Sequence, residues 1–319
     1  MRRKLLVLSF ASLVLLGSTV SAQEEKPKTE IGGVIYADYF NNLTKDAAPA
    51  NISCFELTRL YLTSTRTLSE KTKMKATLEG NQPVNQLFIK NAYIEFNDAC
   101  CNSNIRAGVI PMPWIGYEEG IWKNRFIAKT FTDINAILNA ADIGIGFAGK
   151  LANKSVDYDL ALSNGEGYKT AEVSSDKDLA ARVSYEVING VKLHAFENIG
   201  KETVFGLDRN RTIAGLSFEQ SKLSAMAYYL AAKDAAVNKS GFSLFGSYSI
   251  LSNLALIARI DSCDPNTDAA NDSYNRIIAG VSSTISEGVQ LGLSAQLMTF
   301  ENTALNNQTY IYTSLEVKY

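Results

Sequence analysis

The chain has 319 residues, with 31 Lys and Arg against 33 Asp and Glu for a formal net charge of −2. Three of the positives fall in residues 1–22, so the rest is more acidic still, which excludes nucleic acid as the main partner because phosphate binding needs a basic surface. A mean hydropathy of −0.05 and a single long apolar run, residues 5–16, exclude a bundle of membrane-crossing helices. The 15 Tyr and 14 Phe beside only 6 Pro argue against disorder, and one histidine leaves little room for His-based catalysis or a His-rich metal site.

Residues 1–22 read as an export signal. Arg2, Arg3 and Lys4 form the basic start, Leu5–Leu16 the apolar core, and Val20-Ser21-Ala22 a small-residue cleavage site. The expectation is export by a Gram-negative-type cell, with residues 23–29 as a short periplasmic leader and residues 30–319 as one folded unit.

From Glu30 onward the side chains alternate apolar and polar, the period of a strand. Sixteen strands are expected, over 30–41, 54–67, 72–80, 87–96, 103–110, 142–150, 156–164, 177–188, 191–199, 211–219, 222–230, 240–250, 254–262, 274–285, 289–300 and 308–319. The last is the clearest. Ile311, Thr313, Leu315, Val317 and Tyr319 share one face, and Tyr310, Tyr312, Ser314, Glu316 and Lys318 share the other.

The connections alternate as well. Short ones, at 68–71, 97–102, 151–155, 189–190, 220–221, 251–253 and 286–288, interleave with longer polar ones. The longer set is 42–53, 81–86, 111–141, 165–176, 200–210, 231–239, 263–273 and 301–307. Asn189-Gly190 is a strong two-residue hairpin signal. In an antiparallel barrel across a bilayer, successive connections emerge on opposite sides, short periplasmic turns on one and longer external loops on the other. A secreted β-sandwich shares the period but has no reason to alternate its loop lengths. The fold class expected is therefore all-β, a transmembrane antiparallel β-barrel of about 16 strands. Closure leaves no sheet edge in lipid, and a barrel of that size encloses a lumen wide enough for water.

The connection 111–141 is too long for an ordinary hairpin loop, and loops of that length are usually functional. It holds Trp114, Tyr117, Glu118, Glu119, Trp122, Lys123, Arg125 and Lys129, and a short helix fits 133–141. Folded into the lumen it would narrow the path, making Trp114, Tyr117, Glu118, Glu119, Lys123, Arg125 and Lys129 candidates for a pore constriction. On the outside it would only pack its aromatics on the rim.

With each strand's apolar face turned to lipid, parity points Lys73, Lys75, Arg106, Arg182, Lys192, Arg211, Arg259, Arg276 and Lys318 inward. It does the same for Asp38, Glu79, Asp157, Asp159, Asp178, Glu186, Glu219, Asp261 and Glu316. Strands 54–67 and 87–96 are apolar on both faces, so Arg59, Arg66 and Lys90 stay unassigned. Mixed charge in a wide lumen implies weak selectivity, whereas a ring of one sign would select strongly.

Other patterns fail on context. Gly144, Gly146 and Gly149 match a dinucleotide-binding fingerprint, but they alternate with Ile143, Ile145 and Phe147 inside one strand and open no helix. They are expected to make room in the lumen, for the third loop among other things. His194 lacks a marked nucleophile and reads as a structural or solvated lumen residue. Cys54, Cys100, Cys101 and Cys263 lack zinc spacing, and at most one bridge, Cys54–Cys263, is expected.

Three segments carry a family likeness. Arg59–Leu62 with its hairpin, then Ile89–Phe96, then Ile105–Gly120 resemble the phosphate-selective porin O and P family of outer-membrane barrels. The matching positions are Lys90-Asn91-Ala92-Tyr93-Ile94, Gly108, Pro113, Trp114, Gly116 and Glu118. The likeness covers about residues 55–125 and is architectural elsewhere. It implies sixteen strands, a homotrimer and an inward third loop; phosphate selectivity in that family depends on a ladder of basic lumen residues.

The function expected is passive diffusion of small hydrophilic solutes or ions through the outer membrane, in contact with its lipid and without cofactor, metal or nucleic acid. Anion or phosphate preference follows from the resemblance, while the balanced lumen suits a general porin equally well. The alternative is a plugged barrel acting as an adhesin or anchor, which loops this short disfavour. An enzyme needs an active-site constellation that the chain does not display.

Overall fold

In a computed structural model, residues 27–44, 52–81, 86–100, 102–151, 155–201 and 206–319 are described. The expected export signal, most of the leader and Cys101 lie outside them. The strands in chain order are β1 (Thr29–Asn42), β2 (Ser53–Ser69), β3 (Thr72–Asn81), β4 (Gln86–Cys100) and β5 (Ser103–Pro111). Two short helices follow, α1 (Ile115–Trp122) and α2 (Phe131–Ile134). Then come β6 (Ala141–Leu151), β7 (Val156–Ser163), β8 (Asp178–Ile188), β9 (Val191–Lys201), β10 (Asp208–Gln220) and β11 (Leu223–Asp234). The last five are β12 (Val237–Leu251), β13 (Leu254–Asp264), β14 (Tyr274–Ser286), β15 (Val289–Phe300) and β16 (Gln308–Lys318).

Each strand pairs antiparallel with its sequence neighbours, and β1 pairs with β16 to close the barrel. The seam runs from Val34 opposite Lys318 to Asn42 opposite Tyr310. Beyond it, Gly33 N donates to Tyr319 O at 2.9 Å and Tyr319 N to Gly33 O at 3.2 Å. Among the described residues closure leaves the sheet without a free edge strand.

Alternation decides which face is which. Leu193, Leu216, Leu244, Ile260, Ile277 and Leu293 stand out from the wall, while Arg211, Ser243, Arg259 and Asp261, on strands among the same set, are buried inside. Exposed aromatics gather toward the two ends of the wall. Phe96, Tyr185, Tyr248 and Tyr319 lie toward the short turns, and Tyr39, Phe55, Tyr229 and Phe242 toward the long loops. Such girdles mark the two faces of a bilayer around an apolar band.

Two connections differ from expectation. Residues 231–239 are mostly strand: β11 reaches Asp234, β12 begins at Val237, and Ala235 makes the turn at φ 55°. Five of these nine residues are Ala or Val, and the ladder runs on through them to the Asp234–Val237 pair. Asp234 holds it by accepting from Arg211 at 2.6 Å and Lys239 at 2.7 Å. Residues 97–100 likewise extend β4, with a register shift after Phe96 and Asp98 at φ 47°. The bridge expected between Cys54 and Cys263 is absent. Both are free thiols, on β2 and β13, which are far from neighbours in the sheet.

Candidate functional site: the loop inside the barrel

The connection between β5 and β6, residues 112–140, folds into the lumen. α1 turns Ile115, Glu118, Ile121 and Trp122 to the wall and leaves Gly116 and Gly120 on the open side. It ends where Lys123 takes a left-handed backbone at φ 59° and donates its N–H to Glu119 O. Asn124 Nδ2 then caps Trp122 O at 2.8 Å.

The wall from β8 to β15 grips this loop in two ways. Rings interlock: Trp114 lies 5.5 Å from both Phe196 and Tyr228, Trp122 lies 5.4 Å from Phe245, and Phe131 lies 6.2 Å from Tyr228. Burial of these large side chains is the main attraction, and each edge-to-face pair adds about 0.5–1.5 kcal/mol. Wall side chains also hydrogen-bond the loop's carbonyls. Arg182 Nε donates to Pro113 O at 3.0 Å, Ser224 Oγ to Ile121 O at 2.9 Å, Arg211 Nε to Ile137 O at 2.9 Å, and Arg259 to Lys129 O. Satisfying carbonyls that would otherwise be buried and unpaired makes the docked position specific.

Much of the lumen charge is therefore out of the path. Arg106 is paired with Asp159 at 2.5 Å, Arg182 with Asp157 at 2.6 Å, Arg209 with Asp178 at 2.8 Å, and Arg259 with Asp261 at 2.6 Å. Arg259 and Asp261 are buried beneath the loop. Arg276 packs near the Tyr274 ring and on Met298. Lys73 pairs with Glu95 at 2.7 Å, and Lys75 points inward beside it. Parity alone weighs these charges equally, but pairing and the loop's cover leave a large share of them buried.

Several of the remaining charges keep part of their surface exposed. On the loop, Arg125 bonds Glu119 at 2.7 Å and Asp133 at 3.0 Å, with Lys129 3.9 Å from Asp133. Burial works against the charge on Arg125, and the two carboxylates more than restore it. On the opposite wall, buried Glu79 accepts from Arg59, from Lys169 at 3.0 Å and from Tyr168 OH at 2.8 Å, and Lys90 lies 3.7 Å away. Lys90 also donates to Tyr61 OH at 2.6 Å. The two sides feel each other. Burial holds the Lys129 ammonium below its ordinary value, partly offset by Asp133, and the cations Arg125, Arg59 and Lys169 push it the same way as burial.

The sequence candidates thus separate. Glu119, Arg125 and Lys129 are partly exposed on the loop, while Lys123 reaches toward Glu219 at the turn end of β10, 3.7 Å away. Tyr117 lies against the wall, its ring 3.8 Å from the Arg182 guanidinium and 5.4 Å from His194. Trp114 and Glu118, expected beside the path, are buried behind the loop instead, because α1 turns that face to the wall. Arg59 and Lys90, which parity left unassigned, point inward.

His194 is held by two hydroxyls, Ser184 and Ser217, each at 2.9 Å. The expected space for the loop along β6 serves other neighbours. A methyl on Gly146 would meet Arg106 and Ile110, and one on Gly149 would meet Tyr158 and Ser103. The glycines that admit the loop are Gly241, under Phe131, and Gly292, under Ile127.

No family model matches the chain, and no curated protein matches it. Solved structures do. An anion-selective porin from Comamonas acidovorans aligns with TM-score 0.71 at 14% identity, over 92% of this chain and 100% of that one. The outer membrane channel DcaP of Acinetobacter baumannii aligns with TM-score 0.66 at 13% identity, over 93% and 99%. OmpT, an outer membrane protein of Vibrio cholerae in its trimer form, aligns with TM-score 0.63 at 9% identity, over 92% and 99%. The fold of this chain is the closed 16-stranded barrel of the outer-membrane porins.

Proposed function

We propose that the chain is an outer-membrane diffusion channel for small hydrophilic solutes, with a preference for anions. Solutes would partition into the water-filled lumen and cross at the opening between the inward loop and the β2–β4 wall, with size set by the loop and sign by the charges around it. The observation that carries the sign is local. Glu119 and Asp133 balance Arg125 and Lys129, whereas, among the described residues, Glu79 is the one carboxylate ion-paired with Arg59, Lys90 and Lys169.

Export, cleavage after Ala22, insertion among outer-membrane lipid and assembly as a homotrimer are part of the same reading. The porin fold, the aromatic girdles and the trimeric Vibrio cholerae structure support it. Phosphate as the preferred anion rests on the narrower likeness over residues 55–125.

The test is the reversal potential of the purified, refolded barrel in a planar bilayer across a salt gradient. Stepwise conductance with a potential of anion-selective sign is expected. A folded, heat-resistant barrel that gives no steps means a plugged lumen and turns the reading to an adhesin or anchor. A cation-selective sign overturns the anion preference alone.

A further inference from the structure

Resting on the channel reading, we infer that the connection between β7 and β8, residues 164–177, is a second selectivity element and that its Lys169 is a specificity-determining residue for anionic solutes. The inward loop does not build the opening by itself. This neighbouring loop bends over its end and places one cation at the entrance on the long-loop side.

The bend is encoded locally. Gly165 and Gly167 adopt φ 110° and 83°, backbone that other residues enter only with strain. The turn is then pinned to its surroundings. Gly165 N donates to Asp142 Oδ2 at 2.6 Å, Asn139 Nδ2 and Arg209 Nη2 donate to Gly165 O at 3.2 and 2.7 Å, and Tyr168 N donates to Ala141 O at 3.1 Å. Gly167 packs so closely on Asn139 that a methyl there would stand 2.6 Å from its amide carbon.

From that base the loop reaches the opposite wall. Tyr168 sits edge-on to Phe88 at 6.3 Å and bonds Glu79. Lys169 lies over the Phe88 ring at 4.9 Å and bonds the same carboxylate at 3.0 Å. Glu79 is fully buried, whereas the Lys169 side chain keeps 40% of its surface exposed. The cation, not its partner, is what a solute meets. Without Lys169, Glu79 still has Arg59 and Lys90, so the carboxylate is neutralised with or without it. The lysine's charge is therefore in excess, and it lies over the Phe88 and Tyr168 rings with its ammonium open to water.

An ion crossing there passes well within a Debye length of about 8–10 Å, so salt does not hide the charge. One unit charge at about 6 Å in water changes an ion's local concentration roughly threefold. The experiment compares reversal potentials of the unaltered barrel with K169A, K169E, K177E and G167V. The anion-to-cation permeability ratio is expected to fall roughly tenfold in K169A, because the anion loses about threefold while the cation gains about threefold, and further in K169E. K177E changes a lysine on the same loop that bonds only the carbonyls of Ser175 and Asp176, and it should leave the ratio unchanged. G167V keeps every charge but spoils the turn, and it should lower the ratio as K169A does. Heat-shifted mobility on gels confirms that each variant is a closed barrel. Conductance steps with a ratio indifferent to K169E overturn this inference while leaving the channel standing. A matching fall in K177E also overturns it, since diffuse surface charge then explains the effect. Absence of steps in the unaltered protein removes the channel reading and this inference with it.

Discussion

Ile127 of the inward loop lies in a notch left open by Gly292 of β15: a methyl built on the glycine would stand 2.6 Å from Ile127 Cδ1. Gly241 of β12 receives Phe131 in the same way. Filling either notch forces the loop off the wall and toward the opening, at a typical overpacking cost of about 1–3 kcal/mol. Gly292→Val and Gly241→Val should still close as barrels, because the sheet hydrogen bonds are untouched. Their single-channel conductance should fall below that of the unaltered protein, and an unchanged conductance would show that the notches do not position the loop.

Glu118 makes the loop's docking sensitive to pH. It is fully buried, with Tyr228 OH at 2.5 Å on one oxygen and Thr132 Oγ1 at 2.7 Å on the other. From β13, Arg259 faces it, itself tied to Asp261. Burial pushes its pKa from 4.5 up to about 7, and the hydroxyls and Arg259 restrain that rise only in part. A carboxyl whose docked value is raised favours docking in its protonated form. The full benefit is present below about 4.5, declines as pH rises toward 7 and is gone above it, a span worth about 3 kcal/mol. Hydrogen exchange across 115–134, corrected for intrinsic rates, should be faster at pH 8 than at pH 5. Glu118→Gln, neutral throughout, should abolish the difference.

Most of the barrel was legible before any coordinates, and the reason is physical. A wall apolar on its outer face and polar on its inner one forces period-2 alternation, so strand starts agree with the sequence reading within three residues and strand ends within four. The reading failed where that forcing stops. Residues 231–239, expected as a polar loop, continue the β11–β12 ladder instead, five of the nine being Ala or Val. The opening was harder to see. Parity gives a side chain's direction but not what covers it, so Arg182, Arg211 and Arg259 looked like channel charges when they anchor loop carbonyls. Glu118 and Glu119 are sequence neighbours with opposite fates because α1 turns one to the wall and the other to the water. Lys169 has a signal in the sequence, Gly165-Glu166-Gly167 directly before an aromatic and a lysine.

Gly116 and Gly120 give a direct handle on the width of the opening. Both lie on the open side of α1, and a methyl group built on either meets nothing within 4 Å. Replacing Gly120 by Ala should stabilise the helix by about 0.5–1 kcal/mol without touching the wall. Gly120→Trp should reduce conductance and exclude larger solutes in a liposome-swelling assay, while the barrel folds normally. Equal permeability for Gly120→Trp and the unaltered protein would place the path elsewhere in the lumen.

The seam between β1 and β16 is where folding is most exposed to substitution, because it joins the most distant parts of the sequence and closes last on loop-entropy grounds. Gly33 is its tightest point. A side chain there would run into the Tyr319 ring and the Tyr61 carbonyl of β2 together, so relief on one side is blocked by backbone on the other. Gly33→Val should slow refolding into detergent and lower the temperature at which the heat-shifted band appears, with a cost of about 1–3 kcal/mol. Gly80→Val is the control. Its nearest neighbour would be the flexible Leu87 side chain at 3.7 Å, an ordinary contact, and it should refold like the unaltered chain. If the two variants refold alike, seam crowding at Gly33 is not what limits closure.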